Sequence, residues 1–104
     1  MNESDVTKRI LKYMKTLPHC FCWKEHGGIY GTSGIPDIIA CIHGRFIALE
    51  VKTQKGKTTP LQEAAIRKIR SSGGFAFVVR SVDEAKNAID NVLNNSYLGD
   101  KNDS

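Results

Sequence analysis

Two apolar runs separated by only two turn residues constrain this chain more than any other feature. Gly34-Ile35-Pro36-Asp37-Ile38-Ile39-Ala40-Cys41-Ile42 is followed by His43-Gly44 and then by Arg45-Phe46-Ile47-Ala48-Leu49-Glu50-Val51-Lys52. Branched and aromatic residues fill both runs and a glycine-ending dipeptide joins them, so they are expected to pair as a tight hairpin. A hairpin brings its far ends together, and here those ends are charged: Asp37 on one strand, Glu50 and Lys52 on the other. Charge within an apolar strand is expensive to bury, so its placement needs a reason.

At 104 residues the chain has room for one domain with one core. Its formal charge of +4 is compatible with a nucleic acid or an acidic surface but selects neither. No apolar run approaches the roughly 18 residues that span a bilayer, and charges flank Val6 where a signal peptide is apolar. The expectation is a soluble cytoplasmic protein with no membrane partner. Cys20, Cys22 and Cys41 form an odd set that favours reduced thiols. Cys20-x-Cys22 has His19 and His26 nearby but lacks the usual spacing of a structural zinc site.

The remaining elements follow from periodicity and punctuation. Ser4 and Asp5 can cap a helix with Val6, Ile10, Met14 and Leu17 on its inner face, and Pro18 stops it. Cys20–Lys24 reads as a strand, residues 26–34 as a glycine-rich loop and residues 53–58 as a basic loop. Thr59-Pro60-x-Gln62 opens a second helix through a capping box, with Leu61, Ala65 and Ile69 as its stripe and Gly73-Gly74 as its end. Residues 75–80 read as a strand. Ser81-Val82-Asp83-Glu84 opens a third helix whose inner face is Ala85, Ala88, Ile89, Val92 and Leu93. The result is a single small α/β domain, helix-strand-strand-strand-helix-strand-helix, with a mixed central sheet flanked by helices over residues 1–95. Residues 96–104 are polar and are expected to be a flexible tail.

Strand alternation sets Glu50 and Lys52 on one face, with Leu49 and Val51 on the other. Asp37 at the start of the neighbouring strand can lie beside Glu50, and two adjacent carboxylates repel unless protonated or bridged by a cation. Carboxylate oxygens, the backbone carbonyl of Val51 and water suit a hard ion such as Mg²⁺ or Mn²⁺. Such an ion acidifies water and stabilises phosphoryl charge, and Lys52 can orient the attacking water, which are the needs of phosphodiester hydrolysis. The acids alone fit a second reading equally well, a surface Asp and a Glu–Lys pair on a solvated sheet face.

The words Pro36-Asp37 and Glu50-Val51-Lys52 resemble the signature of the PD-(D/E)XK nuclease superfamily. More narrowly, the glycine-rich approach to Pro36, the lysine-rich loop ending in Thr59-Pro60-x-Gln62, and Val79-Arg80 resemble the VRR-NUC family in its minimal stand-alone form, found in phages and bacteria. The resemblance spans about residues 3 to 93. It departs at one place: the family's Val-Arg-Arg reads Val79-Arg80-Ser81, so a paired-arginine contact loses one partner.

The resemblance implies that Asp37 and Glu50 bind metal, that Lys52 assists catalysis and that Gln62 borders the active site. It also points to Glu3 as a further metal ligand. Gln62 is explained as well by its capping box, and Glu3 by the helix dipole. Lys55 and Lys57, which flank Gly56, are expected to contact DNA; Arg67, Lys68 and Arg70 crowd the following helix, and His26 and Tyr30 lie in the loop before Asp37. The implied activity is that of an Mg²⁺- or Mn²⁺-dependent endodeoxyribonuclease, structure-specific for four-way or other branched DNA, in a bacterial or phage-infected cell. Symmetric cutting of a junction requires two active sites and hence a homodimer. The alternative is a catalytically inactive nucleic-acid-binding module on the same fold.

Overall fold

In a computed structural model that describes residues 1–26 and 33–103, with side chains described as far as residue 95, the chain forms three helices and four strands. The order is α1 (Glu3–Met14), β1 (Cys20–Lys24), β2 (Ile38–Ile42), β3 (Arg45–Val51), α2 (Pro60–Ser71), β4 (Phe75–Val79) and α3 (Val82–Asp103). The strands form one sheet in the order β1-β2-β3-β4. β1, β2 and β3 pair antiparallel, whereas β3 and β4 are parallel because α2 carries the chain across the sheet between them. The expected element order and mixed sheet are therefore present.

The β2–β3 hairpin turns on His43 and Gly44, with φ of 51° and 80°. Two successive left-handed residues are what a two-residue turn needs to match strand twist. The tight turn sets Ile42 opposite Arg45 and, at the open end, Ile38 opposite Leu49.

Both faces of the sheet are covered. Val6, Ile10 and Met14 of α1, with Ala85, Ile89 and Val92 of α3, pack on the face presenting Ile47, Leu49 and Val51. Ile66 of α2 packs on the other face against Ile39, Ala48 and Ala76. Glu50 lies on the α2 side by alternation, so the polar residues of β3 emerge where α2 begins.

Three local expectations are corrected. α1 is capped by Asn2, whose side chain accepts from the Asp5 N–H at 2.9 Å, so the cap precedes Ser4 and Asp5. α1 also ends at Met14, and Leu17 reaches the core from beyond the helix. On α2 the buried residues are Ala65 and Ile66, while Leu61 is 60 % exposed. Leu61 sits in the first turn, beyond the sheet surface that the middle of α2 covers. The α3 backbone is helical to Asp103.

Candidate active site

Continuing the β2–β3 register by one residue sets Asp37 opposite Glu50 on the same face. Asp37 is fixed at both ends. Its Oδ2 accepts a hydrogen bond from the Val51 N–H at 2.8 Å, and its carbonyl accepts from the Glu25 N–H at 2.7 Å. Pro36 just before it is buried, which holds the chain entering the strand. The Asp37 side chain thus takes over the ladder where regular pairing stops.

Glu50 is 2 % exposed and Lys52 is 8 % exposed, which excludes the reading of a Glu–Lys pair on a solvated face. Lys52 Nζ lies 3.8 Å from Glu50 Oε2, and the Lys52 N–H donates to the Val79 carbonyl at 3.0 Å. Gln62 donates from Nε2 to Glu50 Oε2 at 3.4 Å. The Gln62 Oε1 accepts from the Thr59 N–H at 2.9 Å, and the Thr59 hydroxyl accepts from the Gln62 N–H at 3.2 Å. The capping box and the site contact are therefore both made by one glutamine.

The approach to Asp37 is fixed by a glycine. Gly34 has φ +81°, and a Cβ built there would lie 2.4 Å from the Leu61 carbonyl oxygen. Only glycine allows this close approach. The segment before Asp37 thereby lies against the first turn of α2, one residue from Gln62.

The electrostatics of Glu50 are those of an incomplete site. Burial first, and then the neighbouring Asp37 carboxyl, push its pKa up to about 8; Glu3 adds to the rise and Lys52 opposes it. Its Oε1 is buried and has no hydrogen-bond partner. A buried carboxylate oxygen without a donor, facing a second carboxyl, is a natural place for a cation. The donors are all oxygen, which fits Mg²⁺ or Mn²⁺ better than a softer ion. No group of three or more His, Cys, Asp and Glu side chains gathers among the described residues. A two-carboxylate set with water completing the shell is usual for Mg²⁺.

The other candidates divide. Glu3, exposed at the start of α1, is near enough for its charge to raise Glu50, but it forms no three-acid group with Asp37 and Glu50. Lys55 and Lys57 are exposed on the loop after β3, and His26 is exposed just beyond β1. Tyr30 lies outside the described residues. Arg67 and Lys68 are exposed on α2, while Arg70 donates from Nε and Nη2 to the Ala76 carbonyl at 3.0 and 2.7 Å, which ties α2 to β4.

The sequence profile of the VRR-NUC domain matches residues 8–83. The chain belongs to the VRR-NUC domain family. It therefore carries a nuclease domain of that family, with a nuclease-type fold. A solved structure described as a VRR_NUC domain protein shares the fold with a TM-score of 0.70 and 19% identity, covering 86% of this chain and 86% of that chain. A second, described as a VRR_NUC domain, has a TM-score of 0.71 and 27% identity over 85% of this chain and 94% of that chain. No curated protein matches the chain. Among the described residues, no helix is long and apolar enough to cross a membrane.

The Ser81 hydroxyl accepts from the Glu84 N–H at 3.1 Å and opens α3. Arg80, the residue before it, points elsewhere. Its Nη1 donates to the carbonyls of Thr53, Gly56 (2.7 Å) and Gln54 (3.4 Å) in the loop directly after Lys52. These contacts have no sequence signature, because every residue carries a carbonyl.

Proposed function

We propose that this VRR-NUC domain is an Mg²⁺- or Mn²⁺-dependent DNA endonuclease that prefers branched substrates, four-way junctions among them, and acts as a homodimer in the cytoplasm of a bacterial or phage-infected cell. The observation that carries the reading is the buried Glu50 carboxylate, whose Oε2 is met by Lys52 and Gln62, whose Oε1 has no donor, and whose neighbour is the Asp37 carboxyl. Asp37, Glu50 and the Val51 carbonyl are the groups that would hold the ion. When bound, it supplies positive charge for a phosphoryl oxygen and lowers the pKa of water.

The chain's own residues do the rest. Lys52, next to Glu50, offers an ammonium to the attacking water or to the charge that builds on phosphorus. Gln62 orients the Glu50 carboxylate. Lys55 and Lys57 offer phosphate contacts on the exposed loop, with His26 and Tyr30 on the approach to Asp37. Two such sites in a dimer match the symmetry of a four-way junction.

The test is a panel of four-way, flap, nicked and linear DNA incubated with Mg²⁺ or Mn²⁺, with and without chelator, alongside the solution mass. Chelator-sensitive cleavage that favours branched DNA is expected, from a particle of twice the chain mass. Binding without cleavage under every metal condition would replace this reading with an inactive DNA-binding module.

A further inference from the structure

We propose that Arg80 is a positioning residue for Lys52, acting through the loop of residues 53–56. The inference rests on the reading of Lys52 as part of a nuclease site. β4 grips the chain twice at this point. The Val79 carbonyl holds the Lys52 N–H at 3.0 Å, and the Arg80 guanidinium then gathers the carbonyls of Thr53, Gln54 and Gly56 across a sequence separation of 24 to 27 residues. A guanidinium is suited to this, because it presents several donors in a rigid fork.

The gathered loop folds back on the Lys52 stem. The Gly56 N–H donates to the Thr53 carbonyl at 3.1 Å. A Cβ built on Gly56 would lie 3.2 Å from Thr53 Oγ1 and 3.5 Å from Lys52 Cδ. The Gly56 backbone therefore passes close to the Lys52 stem, and Arg80 holds that backbone through the Gly56 carbonyl. With the stem confined, Lys52 Nζ stays beside Glu50 Oε2 and does not sample the many rotamers open to a lysine. Arg80 is itself anchored, since its N–H donates to Glu84 Oε1 at 3.1 Å in the first turn of α3.

The test uses Arg80→Ala, read three ways. Amide hydrogen exchange is expected to rise in residues 53–57 while α2 and β4 stay protected, and the ¹³C shift of the Lys52 ε-methylene is expected to move. On cleavable DNA, kcat is expected to fall roughly tenfold or more with KM within about twofold, since about 1 Å of misplacement can cost on the order of 100-fold in rate. If the wild-type chain cleaves no DNA, the nuclease reading fails, and exchange and the Lys52 shift alone decide whether the clamp exists. Unchanged exchange, or an unmoved Lys52 signal, overturns the proposal. So does a rise in KM at constant kcat, which would mean that the loop only holds DNA. Should Arg80→Ala fail to fold, Arg80→Lys keeps the charge but not the fork; the same shifts in smaller degree are expected of it, and their absence overturns the proposal equally.

Discussion

The Gln62 amide joins two structures at once: its Nε2 reaches Glu50 Oε2 at 3.4 Å while its Oε1 closes the α2 capping box on Thr59. The start of α2 and the buried carboxylate are thereby in fixed relation, and one side chain can be asked which role matters more. Gln62→Ala removes both interactions and is expected to lower stability by about 1 kcal/mol, or roughly 4–8 °C in Tm. Gln62→Glu keeps an acceptor for Thr59 but replaces the amide donor to Glu50 with a carboxylate. Its Tm at neutral pH is expected to stay closer to wild type than that of Gln62→Ala, while metal-dependent cleavage falls at least as far. Melting curves and single-turnover rates on one DNA substrate check both statements.

Asp37 has a structural bond and a proposed metal role, and two substitutions separate them. Asp37→Asn retains an oxygen that can accept from Val51, so its Tm is expected within a few degrees of wild type while cleavage is abolished. Asp37→Ala leaves that N–H without its partner, a penalty of about 1–3 kcal/mol when the group is buried. It is expected to abolish cleavage and to melt lower. Full activity in purified Asp37→Ala would remove Asp37 from the site.

Glu50 makes metal-free stability depend on pH with a definite sign. Its pKa is raised from 4.5 to about 8 in the folded chain, so the folded state holds a proton that the unfolded state releases. Stability from this group is fully present below about 4.5 and is lost as pH rises through about 8. Melting in chelator is expected to show a falling Tm across that window, and Glu50→Gln is expected to flatten it. Added Mg²⁺ should stabilise wild type most at the alkaline end, where the carboxylate is charged.

Gly34→Ala is expected to lower stability by roughly 2–4 kcal/mol, because the left-handed φ and the Cβ clash with the Leu61 carbonyl act together. The movement should part Asp37 from the α2 start as well. Denaturant unfolding measures the first effect and cleavage by the folded fraction the second.

Lys55 and Lys57 are exposed, so their replacement by Gln should leave stability within about 0.5 kcal/mol of wild type. Removing one phosphate-binding cation lowers the slope of log affinity against log salt by about 1. Affinity titrations at several salt concentrations, on branched and linear DNA, are expected to show that reduction on both.

The sheet was legible because its signals are local and strong. The β-branched runs joined by His43-Gly44, and Thr59-Pro60 ahead of Gln62, each admit few conformations, and alternation then assigns Glu50 and Lys52 to one face. What stayed hidden depends on distant partners. The N-cap of α1 is ambiguous in sequence because Asn2, Ser4 and Asp5 are all good caps and only tertiary packing chooses the helix start. Leu61 fits the helical period but lies outside the area that the sheet covers. The burial of Glu50 and Lys52 depends on where α2 begins relative to β3. The role of Arg80 is silent in the sequence because its partners are backbone carbonyls.

Parallel pairing of β3 with β4 also sets an order of assembly. A parallel pair cannot close through a short turn, so Lys52 finds its Val79 partner only after α2 has crossed the sheet. A nascent chain that has emerged only as far as the hairpin holds both acids but neither the Val79 carbonyl nor Arg80. The bonds that restrain Lys52 thus wait for β4, and the full constellation exists only in a chain whose synthesis has passed it.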